Sequence, residues 1–187
     1  MDMLARWAGY LAIAGGGLIA VVVIIVTMDA ESPAWFAFFL VILLLGGAVL
    51  GLERRTRVTT GPFGRWSAWL SVGGVLALLG VFAYAAATGG LSSEAAYDPA
   101  TDPLTPLWIA TAAAWFLGNI GYAVALLRGR ALSAIGAWLV LGGAVIGLIV
   151  TAVLGENLPP AVTLLFGVFG LGWMFIGWMK TPRTYTP

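Results

Sequence analysis

Every basic residue of this chain stands in one of four places along a series of six long apolar runs. Arg6 precedes the first run, Arg54, Arg55, Arg57 and Arg65 separate the second from the third, Arg128 and Arg130 separate the fourth from the fifth, and Lys180 and Arg183 follow the sixth. Asp29, Glu31, Glu94, Asp98, Asp102 and Glu156 occupy the gaps between, where no Lys or Arg is found. No charged residue lies well inside a run. The runs cover about 7–28, 32–52, 66–88, 106–127, 131–154 and 159–179. Each is close to the ~20 helical residues that cross a hydrocarbon core.

Few folds accept such a pattern. With 61% hydrophobic and 9% charged residues, the chain cannot build the polar shell of a soluble domain, where roughly a quarter of residues are charged. Its solvent is largely lipid. A transmembrane barrel is excluded by the uniformly apolar runs, since barrel strands alternate over ~10 residues. Helices satisfy their own peptide groups in lipid. The expected fold is therefore all-α: a single domain over 1–187, forming a polytopic bundle of six transmembrane helices.

The sorted charges predict orientation. Lys and Arg concentrate on the cytoplasmic side of membrane proteins, which places both termini in the cytoplasm of a multi-pass protein of a prokaryotic cytoplasmic membrane. The first run is long and feeds directly into a second, so a cleavable signal peptide is not expected. Trp7, Trp66, Trp69 and Trp178 lie near the basic ends and Trp35 and Trp108 near the acidic ends, as interfacial indoles do. The runs also pair into three hairpins with outer turns near Pro33, Pro103 and Pro106, and Pro159–Pro160. That rhythm fits either an internal repeat or any six-helix chain with both ends inside.

Two connections have substance. Residues 53–66, ERRTRVTTGPFGRW, read as an inner loop that carries the topology signal and can meet anionic headgroups. Residues 89–104 read as an outer loop. Its Glu94, Asp98 and Asp102 are spaced by four, but Pro99 disfavours the helix that would align them for a hard cation. No metal site is expected.

Much chemistry is excluded. Without Cys there is no disulfide or thiolate, and without His there is no imidazole ligand or base. No cofactor and no catalytic residue is expected, because Ser67, Ser71, Thr111, Thr151 and Thr163 have no evident basic partner. The lack of charge inside the runs argues against an ion-coupled carrier that uses membrane carboxylates. The partner that the composition demands is the lipid bilayer. Nucleic acid is not expected.

What remains is the fourth run. It carries Asn119, the amide deepest in any apolar run, with Trp108, Thr111, Trp115 and Tyr122 on the same side. Two readings stand. The residues wall a pocket for an apolar or amphipathic molecule, with Asn119 supplying one orienting hydrogen bond. Alternatively, Asn119 bonds to a neighbouring helix while the aromatics pack the bundle. Small residues at helical spacing (Ala8, Ala12 and Gly16; Gly47 and Gly51; Gly143 and Gly147) mark close helix contacts, within the chain or with a partner membrane protein or a second copy.

The short helices, the Arg–Trp and Gly–Arg inner junctions and the C-terminal LPPAVTLLFGVFGLGWMFIGW resemble small, uncharacterised six-helix prokaryotic membrane proteins. The hairpin rhythm is similar to that of the acid-resistance membrane protein family, which implies a stress-associated, non-enzymatic role. Length, helix count and topology also resemble the substrate-binding components of energy-coupling-factor vitamin transporters. That likeness implies a binding or transport component that docks a partner through small-residue faces such as Ala8, Ala12 and Gly16.

Overall fold

The computed structural model describes residues 3–28, 37–87, 105–130, 132, 134–154 and 160–178. These form five helices: α1 (Met3–Met28), α2 (Ala37–Ala87), α3 (Thr105–Arg128), α4 (Ala134–Leu154) and α5 (Pro160–Trp178). No strand occurs among the described residues, and the chain is all-α. Met3–Ile25, Ala37–Tyr84 and Thr105–Arg128 are long and apolar enough to cross a membrane, while Ala134–Ile149 and Phe166–Trp178 are shorter apolar helices. The chain is a transmembrane protein. The outer loop with Glu94, Asp98 and Asp102, along with Trp35, Lys180 and Arg183, lies outside the described residues.

Five helices stand where the sequence predicts six, because residues 53–66 are not a loop. They continue α2, interrupted only at Gly61. Glu53 and the arginines after it are good helix formers, and Arg57 Nε meets Glu53 Oε1 at 3.2 Å one turn away, a pairing that supports a helix.

Gly61 has φ 63° and ψ −164°, a region that essentially only glycine visits. Pro62 follows, and a proline pushes the residue before it out of the helical region while suiting the first turn of the next helix. The Thr59 and Thr60 hydroxyls both donate to the Thr56 carbonyl, at 2.8 and 3.0 Å, a back-bonding that bends helices. Beyond Gly61 the chain returns along itself: the Phe39 and Phe82 rings lie 4.1 Å apart, and Gly46 faces Val75. Arms 37–60 and 62–87 therefore pack side by side. Gly61→Ala should cost about 1–3 kcal/mol through backbone strain alone, since an added Cβ there meets nothing within 4 Å. Denaturant titration against Gly73→Ala, which is open but ordinary in conformation, checks this.

The helices close a ring: each packs on the next in sequence, and α5 packs on α1. Close backbone approach makes the closure, with Gly16 against the Gly170 carbonyl and Gly177 against the Gly9 carbonyl. Gly51 lies against Leu4 and Ala8, Gly47 against Leu11, Gly143 against Phe169, and Gly147 against Phe116. Ala8 and Ala12 are fully buried. The small residues singled out in the sequence thus sit in contacts within the chain.

One end of the ring is basic. Gly51 beside Leu4 brings the start of α1 to the Arg54 turn, and Gly129 beside the Thr59 carbonyl brings the end of α3 to the bend. Arg128 lies 5.9 Å from the Phe63 ring. Elsewhere the surface is apolar, with Val21, Ile24, Leu40, Leu43, Leu76, Ile109, Leu117, Ile149 and Leu171 exposed. Trp7, Trp66, Trp69 and Trp178 are exposed too.

Candidate functional site

Among the described residues, the buried polar and charged ones are Glu53, Thr56, Thr60, Ser67 and Ser71 on α2, and Thr111 and Asn119 on α3. They form a polar seam where these two helices meet, joined by the buried phenol of Tyr122. Small residues bring the backbones together there. A Cβ on Gly118 would run into the Ser71 backbone, one on Gly121 into the Ser67 side chain, and one on Gly74 into the backbone of Trp115.

Asn119 is 1% exposed. Its Nδ2 donates to Ser71 Oγ on α2 at 3.0 Å and to the Trp115 carbonyl one turn back at 2.9 Å. Its Oδ1 has no hydrogen-bond partner among the described residues. Three positions further on, the Tyr122 hydroxyl lies 3.2 Å from Thr56 Oγ1. The Thr56 hydroxyl already donates to the Leu52 carbonyl at 2.9 Å, and a hydroxyl has one proton. Tyr122 is therefore the donor in that pair. The Thr111 hydroxyl turns back to the Trp108 carbonyl at 3.0 Å and makes no bond across the seam.

The aromatic members are engaged by other rings. Half-buried Trp108 meets Phe82 edge-on, with centroids 4.2 Å apart. Trp115 is buried against its neighbour Phe116 and edge-on to Phe169 of α5, at 4.9 and 5.5 Å. Phe169 passes the contact to Trp173 at 6.3 Å. Trp173 is fully buried, and its Nε1 has no hydrogen-bond partner among the described residues.

The five predicted residues thus share the inner side of α3, but as members of helix contacts. Two clefts among the described residues are lined by others: Arg57, Gly61, Pro62, Arg65, Trp66 and Trp69 at the bend, and Ala77, Gly80, Val81, Tyr84 and Leu107 on the apolar flank. Sequence reasoning missed Ser71, Thr56, Phe169 and Trp173 as partners. The signal for the first was the match between Ser67–Ser71 and Gly118–Gly121, small faces at helical spacing on consecutive runs.

The chain matches no known protein family, no curated protein and no solved structure.

The Asn119–Ser71 bond invites a double-mutant cycle. Asn119→Leu and Ser71→Ala should couple by about 0.6 kcal/mol and not beyond ~1.7, the range of interhelical hydrogen bonds in lipid. Steric denaturant titrations of the two single variants and the pair read the coupling. A value of zero would mean that the Trp115 carbonyl alone holds the amide.

Proposed function

We propose that the chain is a non-enzymatic structural or accessory component of a prokaryotic cytoplasmic membrane, crossing it six times with both termini in the cytoplasm. One observation carries the functional part: the residues best suited to wall a pocket are already consumed in contacts between helices. Asn119 bonds to Ser71, Tyr122 meets Thr56, and Trp108 and Trp115 meet Phe82 and Phe169. Six crossings are supported by the reversal at Gly61, which gives α2 two apolar arms packed against each other. The cytoplasmic assignment is supported by the arginines gathered at the end that holds the bend.

Such a component acts through a partner membrane protein or a second copy, and a stress-associated role of the kind implied by the acid-resistance layout is one form of it. The chain has no cysteine, so single introduced thiols report topology cleanly. Val58→Cys, on the exposed outer side of α2 just before the bend, should react with an impermeant maleimide in inverted membrane vesicles. It should stay unreactive in intact spheroplasts. Labelling in spheroplasts would reverse the orientation. Native mass spectrometry of gently extracted protein should show a partner chain or an oligomer.

A second reading draws on a specific observation. Asn119 Oδ1 and Trp173 Nε1 are a buried acceptor and a buried donor without partners among the described residues, and such groups are costly unless something satisfies them. On that reading the interior holds a small amphipathic molecule, as a binding or transport component would. A ligand retained in the same mass spectrum, and lost in Asn119→Leu, would favour it over the accessory role.

A further inference from the structure

We propose that the cleft at the Gly61 bend binds the phosphate headgroup of an anionic phospholipid. The cleft has a volume of about 610 Å³ and is lined by Arg57, Gly61, Pro62, Arg65, Trp66 and Trp69, a size common among ligand sites. The bend itself makes it: the reversed backbone sets Arg57 of the first arm beside Arg65 of the second. The place where a side chain at position 61 would stand is open.

The lining sorts by chemistry. Arg65 has no ion-pair or hydrogen-bond partner among the described residues, and Arg57 commits only its Nε, to Glu53. Glu53 is buried and is the sole acid among the described residues, so no free described carboxylate competes for the terminal guanidinium donors. Two planar guanidinium groups are suited to phosphate oxygens, which they can hold bidentately. Trp66 and Trp69 are largely exposed at the same cleft. Indoles place an apolar ring against acyl chains and an N–H at headgroup level. A free phosphate would use the arginines and leave the indoles without a role, whereas a phospholipid uses both.

The inference rests on reading the basic end as lying at a membrane surface, and its test is separable from that reading. Purified protein in neutral detergent, titrated with phosphatidylglycerol and followed by native mass spectrometry, should bind one lipid per chain saturably. Phosphatidylcholine should bind about tenfold more weakly, and millimolar inorganic phosphate should not displace the bound lipid. Arg65→Ala should lower retention about tenfold. Arg55→Ala removes the same charge at the same end but outside the cleft, and should change retention less than about twofold. Trp66→Ala, at an exposed position that leaves the fold intact, should weaken binding without altering charge, so a poorly folded Arg65→Ala still leaves the site testable.

Equal loss in Arg55→Ala and Arg65→Ala would reduce the effect to diffuse attraction and overturn the site. Equal binding of phosphatidylcholine, or full displacement by inorganic phosphate, would also overturn it. If Val58→Cys labels from the cytoplasmic side and no phosphatidylglycerol binds, the topology stands and the headgroup site falls.

Discussion

A Gly118→Ala chain should lose about 3 kcal/mol of stability or fail to accumulate, whereas Gly73→Ala should be neutral or slightly stabilising. Both positions are helical glycines, so removing glycine from a helix favours each by up to ~1 kcal/mol. The difference lies in what the new methyl meets. At Gly73 there is nothing within 4 Å, while at Gly118 the methyl runs into the backbone N and Cα of Ser71. A side chain can rotate away from a new neighbour, but the backbone of a packed helix must move as a whole. Overpacking commonly costs 1–3 kcal/mol, and a backbone obstacle puts this site at the upper end.

Gly121→Ala offers the intermediate case, since its obstacle is the side chain of Ser67. The expected order of stability is Gly73→Ala, then Gly121→Ala, then Gly118→Ala, read by denaturant titration in one detergent. If Gly118→Ala melts with Gly73→Ala, α2 and α3 do not approach as closely as the seam requires.

That order also bears on how helices associate in this chain. Lipid tails are as apolar as the side chains, so burial of apolar surface contributes little between helices, and close packing with a few interhelical hydrogen bonds must hold them together. Gly118 brings the backbones close enough for Asn119 to reach Ser71 Oγ. The glycine and the amide are adjacent in sequence because they serve one contact. Removing the glycine should therefore cost the amide's bond as well, and the two effects should not add.

The features that could be read from the sequence were those enforced by solvent. An uninterrupted apolar run between charges must be a helix in lipid, so α3 begins and ends within a residue of the predicted 106–127, and α5 runs Pro160–Trp178 within the predicted 159–179. Residues 53–66 read as a loop because their charges bound two apolar runs, although charge does not break a helix. The arginines reach outward and Glu53 is paired with Arg57, so the backbone stays helical until one residue takes a positive φ. The informative signal was the Gly61–Pro62 dipeptide, a single-residue break inside a fourteen-letter stretch (residues 53–66).

Asn119 stood out because a buried amide in lipid is rare. Its acceptor did not, because Ser71 looks like any other small helical residue until its partner helix is known. Trp173 was hidden among aromatics that anchor at interfaces. Sequence gives an indole's depth along the run, but not which side of the helix faces the ring interior.

Trp173→Ala and Trp173→Phe should separate the indole's two contributions. Trp173 is fully buried against Phe169. With lipid as the reference the transfer term largely drops out. What remains is the cavity, which at ~24 cal/mol per Å³ over a gap of roughly 100 Å³ costs about 2–3 kcal/mol. Phenylalanine keeps most of the packing and removes an Nε1–H that has no partner among the described residues. Relief of an unsatisfied buried donor is worth about 1–3 kcal/mol, enough to offset the smaller ring. Trp173→Phe should therefore lie within about 1 kcal/mol of the wild type, well above Trp173→Ala, in the same denaturant titration. A Trp173→Phe variant as unstable as Trp173→Ala would instead mean that the indole N–H is satisfied by something outside the chain. With Asn119 Oδ1 as the complementary orphan, that outcome would shift the functional reading from an accessory protein to one that holds a small polar-headed molecule at its centre.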